Sequence, residues 1–352
     1  MNQKRMRVAP LVAQHRFELT DAPVPDPGPG QVQVRVAYVG VCGSDLHNFA
    51  EGSVGDTPSI YPMVLGHEPS GTVVKTGTGV TGWAPGDEAA LEPAIYCYHC
   101  EFCLRGRHNL CSHIVFLSQP TDPGFFRDYV NLPVHNLLPK PKNIGLKELT
   151  LFEPLAVVLH SMEFVQLRTG EDAVVFGSGT IGAMTVAALK MSGAGRVYVV
   201  DPVPHRRELA KAMGADVVID PLQVSAGKEI LRETNGRGVD VAIDCATKNG
   251  SMDEALIATR SAGRVVITGI PSEPEPTIKF HVARRKELAI FNVRRSNHES
   301  ELALRVLASE SRRFAPILTH TLPLEKIQDA FTMLEHYSDG VGKVCIEIGN
   351  VG

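Results

Sequence analysis

Hydrophobic and polar positions follow two regimes along the chain. Up to about residue 155 the apolar residues come in short runs that are rich in β-branched side chains. VQVRVAYVGV (32–41) is the clearest, and 73–75 and 88–91 repeat the pattern. Proline- and glycine-rich segments separate them: PVPDPGPG (23–30), TGTG (76–79) and APGD (84–87). This predicts many strands and turns with few helices. From about 156 to 295 the pattern changes. AVVFGSG (173–179), RVYVVD (196–201), DVVID (216–220), DVAIDC (240–245) and RVVITGI (264–270) are short apolar runs, each followed by a helix-compatible stretch. Such alternation predicts a parallel sheet covered on both faces. The last section, 296–352, predicts two amphipathic helices (299–309 and 324–336) and a closing strand, KVCIEI. It is too short to stand alone and is expected to complete the N-terminal β unit.

Composition narrows the class. The 352 residues are 43% hydrophobic, which at about 150 residues per domain gives two domains. With 21% charged residues the chain is neither disordered nor collagen-like. A net charge of −4 offers no positive field for nucleic acid or anionic lipid, so neither is expected as a partner. The start, MNQKRMRVAPLV, lacks an apolar run of signal length. The longest uncharged stretch, between Asp172 and Lys190, is broken by Gly177, Gly179 and Gly182. It reads as strand–turn–helix rather than a membrane span, and a cytoplasmic location is the expectation.

Four of the seven cysteines, Cys97, Cys100, Cys103 and Cys111, are spaced C-x2-C-x2-C-x7-C. Four thiolates on so short a loop suit tetrahedral zinc, and with no open position the role is structural. A disulfide pair and an iron–sulfur cluster compete for the same spacing. Further on, Gly177-Ser178-Gly179-Thr180-Ile181-Gly182 follows the apolar run AVVF and opens a helical stretch. That context suits a dinucleotide-binding turn, with the pyrophosphate at the helix N-terminus. Asp201 ends the next run, where a carboxylate accepts ribose hydroxyls and repels a 2′-phosphate, favouring NAD over NADP. Arg206, among His205-Arg206-Arg207, pulls the other way, because an arginine there serves a phosphate.

Cys42 in C-G-S-D-x-H, His67 and Glu68 in G-H-E-x-x-G, the four-cysteine lobe, Glu153 in E-P-L and the glycine motif occur in one order. Taken singly each is weak. Together they resemble the zinc-containing medium-chain dehydrogenases over nearly the whole chain. E-P-L with FFRDYV (125–130) resembles the sorbitol and polyol branch most closely. The resemblance implies an α/β architecture: a GroES-like β-rich catalytic domain (1–155 with 296–352), interrupted by a Rossmann doubly wound coenzyme domain (156–295). It implies two zinc ions per chain, NAD as coenzyme, and a homo-oligomer, tetramer or dimer.

Cys42, His67 and Glu68 then bind a catalytic zinc whose charge the thiolate and carboxylate cancel. Glu153 holds the water in the open position or alternates with Glu68 as a ligand. Ser44 and His47 match the family's proton relay, and Asp45 orients the loop or the ligands. Phe49, Phe116 and Phe125 are candidates for an apolar substrate wall. Arg294 matches the family's substrate-reading arginine, whereas Arg295 and Asn48 stand where sorbitol dehydrogenases carry aromatics. Lys343 fits a C-terminal family motif and reads equally well as a solvated lysine. The expected activity is hydride transfer from a secondary alcohol of a polyol or sugar-like substrate to NAD. Threonine, glucose or simple secondary-alcohol oxidation on the same scaffold is the alternative.

Overall fold

The computed structural model describes residues 4–248 and 250–349. The chain forms two compact units. One comprises Met1–Glu153, Ser300–Ser311 and Leu318–Gly352, and the other comprises Pro154–Glu299 and Arg312–Ile317.

The first unit is built on a seven-stranded sheet. Its central strand, Gln31–Gly40, is the VQVRVAYVGV run, and its valines enter the core with Leu11, Leu65, Phe126 and Phe331. Glu68–Thr76 pairs antiparallel on one side of it, with Gly40 opposite Glu68. Lys343–Glu347 pairs antiparallel on the other side, with Gly40 opposite Cys345. The C-terminal strand therefore joins this sheet, beside Leu318–Pro323, which it meets in parallel. This register brings the end of the chain to the strand that precedes Cys42.

Several elements differ in extent from the periodicity. The strand expected at 73–75 begins at Glu68, because its first four residues are all buried and show no alternation. The helix expected at 299–309 runs from Ser300 to Phe314 across a kink at Glu310. The helix expected at 324–336 divides into a 3-10 turn, Leu324–Lys326, and an α-helix, Ile327–Glu335.

The second unit holds a six-stranded, wholly parallel sheet. Its strands in chain order are Ala173–Phe176, Val197–Val200, Val217–Ile219, Val239–Asp244, Thr259–Ile267 and Ala289–Asn292. Their spatial order is third, second, first, fourth, fifth, sixth. This is the doubly wound arrangement whose switch point, between first and fourth strands, receives a dinucleotide. The first, second and fourth strands are buried throughout, which is why they read as unbroken apolar runs. Lys286, in a basic run that suggests a solvated face, instead caps a helix: its ammonium donates to the carbonyls of Leu256, Ile257 and Thr259. Among the described residues, no helix is long and apolar enough to cross a membrane.

Candidate metal and coenzyme sites

Cys42 closes the turn after the central strand and begins the helix Gly43–Ala50. Asp45, three residues on, accepts the Cys42 N–H at 3.1 Å and the Gly66 N–H at 3.2 Å. One buried carboxylate thus fixes the backbone at Cys42 and just before His67. Gly66 has φ of +91°, a conformation other residues adopt only under strain. That turn aims His67 and Glu68 inward. The Cys42, His67 and Glu68 donor atoms lie within 4.8 Å of one another, with His67 and Glu68 buried. His67 Nδ1 is 3.4 Å from Asp45 Oδ1, an ion-pair contact without hydrogen-bond geometry. Burial opposes a charge on His67, yet Asp45 and Cys42 raise its pKa well above the ordinary value. A pocket whose field holds a proton there also attracts a metal cation, so the donor set fits zinc.

Glu153 is buried beside this group. Desolvation, reinforced by Glu68 and Glu92 and opposed by His67 and Lys343, pushes its carboxyl up to about 8. A divalent cation opposite it would favour the ionised form. Lys343 is 2% exposed, and its ammonium donates to Glu68 Oε1 at 2.6 Å and also contacts Oε2. Burial works against that charge, but Glu68, Cys42 and Glu153 outweigh it and raise the pKa of the lysine. A side chain at Gly40 would overlap the Glu68 carboxylate, so glycine makes the room this pair occupies.

The lysine changes the charge balance. Among the candidate ligands, ionised Cys42, Glu68 and Glu153 offset by the Lys343 ammonium leave two negative charges, the amount Zn²⁺ cancels; Asp45, beside His67, lies outside this count. Direct ligation by Glu153 therefore no longer implies the excess negative charge that Cys42, Glu68 and Glu153 alone would give.

Ser44 and His47 are half-buried on the helix after Cys42, and His47 Nδ1 lies 2.8 Å from Glu51 Oε2. Phe116 tilts against the His67 ring at 5.3 Å, as a wall beside the metal ligands would. Phe49 faces the core. It is 1% exposed and packs against His15, Phe17 and Phe331, because the inner face of its helix meets the core. Phe125 is likewise fully buried in the core. Arg294 is exposed beyond the last strand of the second unit, and Arg295 adopts φ of +54°. Sequence reasoning missed two neighbours of the site. Glu92 influences Glu153 and accepts from Ser300 Oγ at 2.6 Å, and Ser118 donates to Asp45.

Cys97, Cys100, Cys103 and Cys111 gather around the short helix Glu101–Leu104. Cys97 Sγ is 3.5 Å from Cys111 Sγ and 3.9 Å from Cys103 Sγ. Tetrahedral zinc with ~2.3 Å bonds spaces its thiolates about 3.8 Å apart. All seven cysteines are free, and iron–sulfur clusters spread their thiolates wider than a single ion does. Backbone N–H groups of Cys100 and His113 donate to Cys97 and Cys111 Sγ at 3.3 and 3.4 Å. Against desolvation, backbone hydrogen bonds lower the pKa of Cys97, whereas desolvation pushes the Cys103 thiol up to about 12. Cys345 is buried and Cys245 half-buried; burial pushes both thiols up to about 12.

In the second unit the glycine turn joins the first strand to the helix Thr180–Met191. A side chain at Gly182 would overlap the Gly177 carbonyl, so only glycine lets the helix start this close. At Gly179 an added Cβ meets nothing nearer than the Arg206 guanidinium at 4.0 Å. That open space at a helix N-terminus, with Thr180 and Ile181 in its first turn, fits a pyrophosphate. Asp201 is 2% exposed and accepts the Ser178 and Val203 N–H groups at 2.7 and 2.8 Å. Arg207 is committed elsewhere, to the Asp201 carbonyl and to Asp220.

The family profile for the alcohol dehydrogenase GroES-like domain matches residues 28–142, and that for zinc-binding dehydrogenases matches 180–309. Sorbitol dehydrogenase of Bacillus subtilis is 33% identical over 343 residues, covering 97% of both chains. The solved L-idonate 5-dehydrogenase of Escherichia coli superposes with a TM-score of 0.90 at 26% identity, over 98% of this chain and 99% of its own. A short chain alcohol dehydrogenase from E. coli CFT073, complexed with NADH, gives 0.89 at 27% identity over 98% and 99%.

Proposed function

The chain belongs to the zinc-containing medium-chain dehydrogenases, and on that footing we propose that it oxidises a secondary alcohol of a polyol or sugar-like substrate with NAD. The observation that carries this reading is the close group Cys42, His67 and Glu68, three ligands that leave a tetrahedral site one place open. Sorbitol dehydrogenase among the relatives supports a polyol as the substrate class.

Zinc at Cys42, His67 and Glu68 supplies Lewis acidity that makes a bound hydroxyl more acidic. The Gly177–Gly182 turn would hold NAD, which would supply the hydride acceptor. Ser44 receives the hydroxyl proton and His47 takes it onward, imidazole being the side chain suited to do so near neutral pH. Glu51, at 2.8 Å, stabilises the imidazolium that forms. Glu153 holds the substrate hydroxyl or water beside the ligands, Phe116 walls the site, and Arg294 reads further hydroxyls. The four-cysteine lobe holds a second, structural zinc. The chain works in the cytoplasm, where thiolate sites persist, as a homo-oligomer (tetramer or dimer) joined at the edge strand Ala289–Asn292.

NADH formation over a panel of polyols, sugars, simple secondary alcohols and threonine tests the substrate class. Polyols are expected to give the highest kcat/KM, and a preference for threonine or simple alcohols would contradict the reading. Coenzyme choice has its own test. The Asp201 carboxylate repels a 2′-phosphate, so Asp201→Asn is expected to shift the kcat/KM ratio toward NADP by about tenfold. An unchanged ratio would remove Asp201 from coenzyme selection.

A further inference from the structure

Ser118 occupies a backbone conformation it has no intrinsic reason to adopt. Its φ is +98°, where a side chain is strained, and the residue is 3% exposed. A tight turn holds it there: the Ser118 and Gln119 N–H groups both donate to the Asp122 carbonyl, at 2.8 and 3.2 Å. Glycine would relieve the strain, but glycine has no hydroxyl. The Ser118 hydroxyl donates to Asp45 Oδ1 at 3.0 Å.

That oxygen is where the contacts around His67 converge. It accepts the Gly66 N–H and faces His67 Nδ1 at 3.4 Å, while Oδ2 takes the Cys42 N–H. A carboxylate is an acceptor only, so its place 3.4 Å from His67 Nδ1 favours a proton on that nitrogen and leaves Nε2 as the one to face a metal. Ser118 pins the rotation of this carboxylate and takes up part of the charge on Oδ1. The same loop carries Phe116, which tilts against His67.

We propose that Ser118 is a positioning residue for the metal site: through Asp45 it sets the orientation of His67 and ties the Phe116 loop to that ligand. The proposal rests on the catalytic-zinc reading above. Its observable is zinc retention in the Cys42 site, with no turnover required. In a chelator titration, Ser118→Ala and Ser118→Gly are expected to lose the more labile zinc at about tenfold lower chelator concentration than wild type. Ser118→Gly is expected to melt higher than Ser118→Ala, because it also removes the strain. The two variants thus differ in stability but not in zinc retention, whereas a purely structural role would make zinc retention follow stability. A Ser118→Gly protein that keeps its labile zinc as tightly as wild type overturns the proposal. A wild-type protein that binds zinc only at the four-cysteine lobe overturns the underlying reading instead.

Discussion

Replacing Cys42 with alanine is expected to lower kcat/KM by at least about 10³-fold while the fold persists. Lewis-acid catalysis by a metal contributes several kcal/mol to the transition state, and each 1.36 kcal/mol is tenfold in rate. Without the thiolate, two ligands remain for an ion that needs three. Stability should change little, because the substitution removes only the Cys42 side-chain half of the helix cap and keeps the bond from the Cys42 N–H to Asp45. A zinc held at the lobe should also be unaffected, as the four cysteines there form a separate group. Steady-state NADH formation and a circular dichroism melt check both halves. Full activity in Cys42→Ala would remove the catalytic-zinc reading.

Replacing Lys343 with methionine is expected to destabilise the first unit by about 3–5 kcal/mol, the usual consequence of leaving one buried charge without its partner. Glu68 is fully buried, accepts a hydrogen bond from the Lys343 ammonium on Oε1 and is in ion-pair contact with it through Oε2. Methionine fills similar volume but leaves that carboxylate uncompensated. The double variant Lys343→Met/Glu68→Gln should recover most of the loss, since no buried ion remains without its partner. Zinc loading should also shrink the defect, because the metal takes over part of the compensation. Urea unfolding with and without added zinc measures all three. An effect under about 1 kcal/mol would mean that the pair is not the charge-balancing element described here.

The legible parts of this molecule were those written in spacing and period. The strand–helix alternation predicted the parallel sheet because its first, second and fourth strands are buried throughout and carry unbroken apolar runs. The four-cysteine spacing predicted a closed ligand set because a short loop delivers all four. Other features depend on register or torsion, which a single sequence does not display. Lys343 resembles a surface lysine until the pairing of the last strand sets it near Glu68. Ser118 looks like an ordinary loop serine because its positive φ leaves no compositional trace. Phe49 looked as available to a substrate as Phe116, but one face of its helix belongs to the core. The strand start at Glu68 was hidden because burial on both sides erases alternation.

The central claim is that one chain holds a catalytic zinc in addition to a structural one. The zinc-to-protein ratio of wild type and Cys42→Ala, measured by elemental mass spectrometry on protein purified without chelator, tests it most directly. The two ligand groups predict two zinc ions per wild-type chain and one in the variant. One zinc per chain in both proteins, or iron in place of zinc, would contradict the account.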